Sequence, residues 1–204
     1  MRILLRYIYK VFKQIRISIV FALGFLDTLF LFYVNGVKHK KIKALGKLIL
    51  NVSLGGNVII DDNLYIRNYS KYSDTSDNRP TKILVSKNAF LIIGKNVGLT
   101  STTIVCQQYI QIGNNVLIGG GTAIYDTNFH PVFSSSRMNQ EPIACVQTKS
   151  VIINDNVFIG TSCIILKGVT IGENSVVAAG SVVVKSIPPN EMWGGNPAVF
   201  LKRL

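Results

Sequence analysis

Two histidines supply the only side chains in these 204 residues whose ordinary pKa lies near neutrality, and they sit in different company. His39 lies inside a run of cations, Lys38-His39-Lys40-Lys41-Ile42-Lys43, where a solvated or headgroup-facing ring is expected and no catalytic inference follows. His130 lies in Asp126-Thr127-Asn128-Phe129-His130-Pro131, within a long polar stretch that interrupts an otherwise regular pattern. A positioned imidazole of this kind accepts a proton from an attacking hydroxyl or water. Cys106, Cys145 and Cys163 are odd in number and lack the spacing of a metal-ligand set. Cys163 falls on an inward repeat position, so a reduced core thiol and a reducing cytoplasm are expected.

The element that must hold these residues is a repeat. Ile153, Ile159, Ile165, Ile171, Val177 and Val183 recur at every sixth position, and Val157, Cys163, Val169, Ser175 and Ser181 follow four places after an anchor. Neither a 3.6-residue helix nor a half-buried strand keeps a period of six. A coil with three flat faces does: each six-residue unit gives one short strand and one corner. Three units return the chain one strand spacing, ~4.8 Å, along the axis. Gly and Asn supply the corner conformations.

The repeat begins near Leu48, with Leu54, Ile60 and Ile66 in phase. Residues 67–81 are polar and read as a loop. The phase resumes at Ile93, Leu99 and Val105, slips by one residue, and continues through Ile112, Ile118 and Ile124. It breaks again over 125–150, an insertion long enough to be functional. Pro188 and Pro189 end the coil, and 188–204 are expected to cap its open edge as a short helix.

Charge divides the chain in the same place. Lys and Arg outnumber Asp and Glu by 22 to 10. Ten of the bases (Arg2, Arg6, Lys10, Lys13, Arg16, Lys38, Lys40, Lys41, Lys43, Lys47) lie in residues 1–47, against Asp27 alone. The remainder, twelve bases and nine acids, is nearly balanced, which disfavours a nucleic-acid binder. At 100° per residue the five bases between Arg2 and Arg16 share one third of a helical wheel, and Leu4, Ile8, Val11, Ile15 and Ile19 lie opposite. That is a basic amphipathic helix of the kind that lies in a lipid interface, with a helix packed on the coil as the alternative. Residues 17–34 are apolar all round except Ser18, Gly24, Asp27 and Thr28. A central Asp costs ~3 kcal/mol on insertion scales, so a monotopic or trimer-buried helix is expected rather than a spanning one. The apolar run has no small-x-small exit, so no cleavable signal is expected. The organisation expected is therefore a membrane-associated helical segment, 1–47, and an all-β, left-handed parallel β-helix, 48–204, with a loop at 125–150 and a cap at 188–204.

The hexapeptide run, the His-Pro excursion and the ending Gly-Val-Thr-Ile-Gly-Glu-Asn-Ser-Val…Ile-Pro-Pro-Asn…Gly-Asn-Pro-Ala resemble the left-handed β-helix acyltransferases, in their maltose/galactoside O-acetyltransferase branch. The resemblance implies a homotrimer with sites between adjacent prisms, acetyl-CoA as donor and a saccharide acceptor. It implies His130 as general base; Asp126 either orients that ring or caps the loop as an Asx turn. It places Gly160, Thr161, Ala178 and Ala179 along the pantetheine arm, and Lys185, Lys202 and Arg203 at the nucleotide phosphates. Ser101 is the closest match to the family's acceptor-binding Asn, and Arg137 is a second acceptor-binding candidate. Trp193 and Val199 depart from the small and basic residues usual there, so adenine contacts are expected to differ. With a membrane-bound N-terminus, the expected activity is O-acetylation of a cell-surface polysaccharide or its lipid-linked precursor at the cytoplasmic face of the inner membrane. Acetylation of an antibiotic or an amino sugar is the alternative, with a trimeric scaffold less favoured. The γ-type carbonic anhydrases share the coil but need three His per zinc, which two histidines do not supply.

Overall fold

A computed structural model describes residues 2–68, 79–138 and 145–204. Much of the loop expected at 67–81, and 139–144 of the 125–150 excursion, lie outside the described residues. The chain opens with one helix, α1 (Arg2–Val34). A Schellman ending stops it: the N–H of Val37 donates to Phe32 O, the N–H of Gly36 donates to Tyr33 O, and Gly36 sits at φ 63°.

Six coils follow. They are β1 (Lys38–His39), β2 (Ile42–Leu45), β3 (Leu48–Val52); β4 (Asn57–Ile60), β5 (Leu64–Arg67), β6 (Thr81–Val85); and β7 (Phe90–Ile93), β8 (Gly98–Thr100), β9 (Thr103–Cys106). Then come β10 (Tyr109–Ile112), β11 (Leu117–Ile118), β12 (Ala123–Tyr125); β13 (Val151–Ile153), β14 (Phe158–Ile159), β15 (Ile164–Ile165); and β16 (Thr170–Ile171), β17 (Val176–Val177), β18 (Val182–Val183). Every third strand pairs in parallel, so the coils stack into three sheets. The result is the left-handed parallel β-helix expected. The inward residues form columns. On the first face Ile60, Ile93, Ile112, Ile153, Ile171 and Ile187 stand in register, all at 2% exposure or less. Each such side chain withdrawn from water contributes ~1.5–3 kcal/mol.

Four expectations need correction. The coil begins at Lys38, not 48: β1 pairs with β4 through its backbone while both its side chains stay exposed, and β2, with Ala44 turned inward, pairs with β5. Leu54 is 94% exposed in the turn before β4; Leu50 and Val58 face inward instead. Val105 points outward, with Ile104 and Cys106 buried, because the corner at Ser101–Thr102 is one residue shorter than the repeat. The C-terminal cap is an antiparallel hairpin, β19 (Glu191–Gly195) and β20 (Ala198–Arg203), rather than a helix. It extends the second sheet beyond β17.

The three corners differ. Between the first and second faces, Asn63, Asn96, Asn115, Asn156, Asn174 and Asn190 all adopt φ near 60°. Each amide nitrogen donates to the Oδ1 of the next at 2.9–3.0 Å. The corner between the second and third faces carries Ser101, Gly160–Thr161 and Ala178–Ala179. The third, between the third face and the first, carries the excursion after β12.

Candidate active site

After β12 the chain leaves the coil, and before β13 it rejoins it, through a short stem. Lys149 N–H donates to Asp126 O at 2.9 Å, Asn128 N–H donates to Gln147 O at 3.1 Å, and Thr127 bridges Thr148 in antiparallel sense. Inside that stem Thr127 is buried, its hydroxyl donating to Gln107 Oε1 at 2.8 Å and accepting from Phe129 N–H at 3.1 Å. Phe129 is then forced to φ 62°, a left-handed conformation unusual for a bulky side chain, and its ring meets Tyr125 edge-on at 5.1 Å. The turn closes with His130 N–H donating to Asn128 O at 2.7 Å. His130 is presented to solvent, and its imidazole has no hydrogen-bond partner among the described residues. Holding a bulky residue in this region costs ~1–3 kcal/mol, which the Thr127 and stem contacts offset.

Asp126 does not orient that imidazole. Its carboxylate is fully buried and accepts three backbone N–H groups, from Gln107 at 2.8 Å, Gln108 at 2.7 Å and Tyr109 at 2.9 Å. It closes the corner of the preceding coil and anchors the stem from below, so its contact with the base is indirect. Arg137, in the single-turn helix α2 (Ser134–Met138), donates to Pro131 O at 3.0 Å and to Val132 O. Its guanidinium thus shapes the chain just beyond His130.

The small residues form a separate stripe. Gly160 and Ala178 follow β14 and β17 at the corner between the second and third faces, with Thr161 and Ala179 exposed there. A Cβ on Gly160 would stand 2.6 Å from Ala179 N, so this corner admits no side chain at Gly160. Gly180 N–H donates to Thr161 O at 2.8 Å, keeping adjacent coils in step. Ser101 shares the corner two coils earlier but is buried at φ 45°, its N–H donating to Arg67 O at 3.2 Å. Its side chain is not offered to a ligand in the single chain.

The structure does not bring the base and the stripe together within one prism. His130 follows the third-face strand β12, whereas Gly160 and Thr161 precede β15, which pairs with it. They stand at opposite edges of one face, roughly 15–20 Å apart at 3.3 Å per residue. Nor do the three cations gather. Lys185 follows β18 and lines a shallow groove of about 230 Å³ with Trp193, Pro197 and Phe200. Lys202 and Arg203 pair across from Met192 and Glu191, at the far edge of the second face from Ala178. Val199 lines the same groove as Lys185, and Trp193 donates its indole N–H to Glu191 Oε2 at 2.7 Å.

The two buried thiols are quiet, whereas Cys145 is exposed. Burial pushes the Cys106 thiol well up, with the Asp126 carboxylate adding to it, and burial likewise raises Cys163. Both are protonated at neutral pH and neither is a nucleophile. Among the described residues no three His, Cys, Asp or Glu side chains gather as a metal site. The positioning residues that sequence reasoning missed are Gln107, Thr127 and Phe129. Gln107 lies twenty residues before its partner, a separation that no local pattern encodes.

The hexapeptide repeat of succinyl-transferase matches residues 150–185. No curated protein sequence is significantly similar to the chain. Among solved structures, a hexapeptide-repeat acetyltransferase of Vibrio cholerae O1 biovar eltor, complexed with acetyl coenzyme A, is 36% identical over 56% of this chain and 60% of that one, at TM-score 0.51. A galactoside acetyltransferase in complex with coenzyme A is 32% identical over 71% of this chain and 64% of that one, at TM-score 0.57. The polySia specific acetyltransferase NeuO shares the fold at 23% identity, covering 81% and 79%, at TM-score 0.59. The chain thus spans somewhat under two thirds of the length of the first two.

Proposed function

We propose, on the premise that this chain is one of the hexapeptide-repeat acetyltransferase family, that it moves an acetyl group from acetyl-CoA to a saccharide hydroxyl. The observation that carries the proposal is His130, a solvent-facing base held by a strained and doubly pinned turn on an otherwise regular coil. The His130 imidazole takes the proton of the acceptor hydroxyl as that oxygen attacks the thioester carbonyl. The new C–O bond forms, the C–S bond breaks, and the departing sulfur recovers the proton from the imidazolium. No acyl-enzyme is required. A positioned base typically contributes ~10²–10⁴-fold to such a step.

Because base and small-residue stripe occupy opposite edges of one face, a second copy is needed to complete the site. The third corner of one prism facing the small-residue corner of its neighbour, in a closed homotrimer, satisfies that need. The pantetheine arm then runs beside Gly160, Thr161, Ala178 and Ala179. Lys185, beside Trp193 and Phe200, is the cation best placed for the nucleotide end; Lys202 and Arg203 serve it only from a neighbouring copy. The acceptor class proposed is a cell-surface polysaccharide or its lipid-linked precursor, reached from the cytoplasmic side of the inner membrane. The exposed basic helix supports this over a freely diffusing antibiotic. Purified protein, acetyl-CoA and a panel of oligosaccharides, read by mass gain, test the proposal. Acetylated sugar with wild type and its loss with His130→Ala is the expected result; equal product from both would refute the base.

A further inference from the structure

Helix α1 has two apolar faces, and among the described residues only one is packed against the rest of the chain. Gly24, Thr28 and Phe32 face the first coil: Thr28 and Phe32 are buried, and a Cβ on Gly24 would meet Gly46 O at 2.9 Å. Phe25 and Leu31 pack against the core beside them. Since α1 touches both β2 and β3, strands of two different faces, its C-terminal half lies across the open end of the prism.

The second face is a stripe running from Ile8 through Phe12, Ile15, Ile19 and Leu26 to Tyr33, all exposed. At 100° per residue these positions fall within an arc of about 60°, with exposed Leu23 and Phe30 at its edge, opposite the arc of Gly24, Thr28 and Phe32. Arg2, Arg6, Lys10, Lys13 and Arg16 lie on the flank of the prism side, and α1 carries one acid, Asp27. By length and composition the helix is apolar enough to cross a bilayer. It cannot cross while seated on the coil, because Lys38, Lys40, Lys41 and Lys43 would enter the hydrocarbon with it.

We propose that α1 lies in the plane of an anionic lipid surface with this stripe downward, and that the prism stands on it with its axis along the membrane normal. This deepens the membrane reading above; the orientation does not depend on the acetyl-transfer reading, whereas the height of the acceptor rests on it. Charge chooses lipid over a second copy of the helix: five cations in its first half against a single acid, Asp27, in the whole helix make copies repel one another but match anionic headgroups. The geometry also fixes a height. His130 follows the fourth coil, so the acceptor hydroxyl is presented roughly 15–20 Å above the helix at ~4.8 Å per coil. The acceptor hydroxyl of a lipid-linked saccharide then belongs to a sugar several units out from the lipid.

Full-length protein is mixed with phosphatidylcholine vesicles with or without phosphatidylglycerol, and no acetyl-CoA. Cosedimentation is expected only with phosphatidylglycerol, and Arg2, Arg6 and Lys10→Gln should weaken it on the order of a hundredfold. Leu23, Leu26 and Phe30→Ser should weaken it at least about tenfold without altering far-UV circular dichroism, since these residues are exposed. Depth is read with brominated lipids. Trp193, the one native Trp, lies in the hairpin beyond the sixth coil, so wild-type emission should be unquenched. Phe30→Trp should be quenched, most by bromines nearest the headgroups. Quenching of Trp193, or quenching of Phe30→Trp mainly by the deepest bromines, overturns the upright in-plane arrangement. Failure to bind phosphatidylglycerol overturns the lipid assignment. So does a stripe variant that keeps vesicle binding but sediments as a smaller species in lipid-free buffer, which would make the stripe a contact between copies. Acetylation of a soluble sugar, assayed separately, reports on the chemistry alone.

Discussion

At one corner of the prism, six asparagines satisfy one another along the whole coil; at another, a single coil carries a histidine without a side-chain partner among the described residues. Both corners use left-handed backbone. At the first, Asn tolerates it, and the amide ladder repays any cost within the fold. At the second, Phe129 adopts it against its own preference, held by Thr127, Gln107 and the stem to Thr148. The same backbone device therefore serves continuity in one place and presentation in the other. Stability and chemistry should be separable by mutation.

The widest separation is expected at His130. His130→Ala should lower turnover with a soluble acceptor by ~10²–10⁴-fold and leave the thermal midpoint unmoved. Asp126→Ala should fall on the other side of the divide. It removes a buried carboxylate that accepts three backbone N–H groups, at a cost of ~2–3 kcal/mol in denaturant unfolding, with activity lost through the stem. Asn156→Ala should sharpen the comparison: loss of two ladder bonds and of a tolerant residue costs ~1–3 kcal/mol, with unchanged turnover in the folded protein. Phe129→Gly should do the converse, shifting stability by under ~1 kcal/mol but lowering turnover several-fold as the turn loosens.

The smallest effect concerns acid. The N–H and side-chain amide of Asn114 hold the Asp155 carboxyl below its usual range. A lowered folded-state pKa gives stability that is full above the unfolded value and is lost as pH falls through the folded one. Below about pH 4 wild type should therefore lose this contribution, and Asp155→Asn should show a shallower acid limb in thermal melts.

Where the repeat is six residues long, the sequence was enough: every anchor from Ile153 to Val183 is buried. Leu54 and Val105 misled because the early coils have corners of unequal length, which a fixed period cannot register. The Lys38–Lys43 run hid the first coil, since charge signals surface and says little about backbone pairing. At the site, a lone His in a long interruption was legible. The role of Asp126 was not, because its three partners lie seventeen to nineteen residues away. The split between the base and the small-residue stripe is a property of which corner each occupies, and appears only once the coil is wound.

The two ends of the coil carry a further consequence. Parallel strands stacked at ~4.8 Å are also the repeat of a fibril, and an uncovered terminal coil is a template for adding another chain. Here α1 lies over the first coil, and Asn35 Oδ1 accepts the N–H of Val52 to hold it there. At the other end β20 runs antiparallel to its neighbour and ends in Lys202 and Arg203, so the direction of growth is reversed and its edge is charged. Growth is therefore terminated from within at both ends. Deleting either element should convert a finite coil into a seed for end-to-end polymerisation.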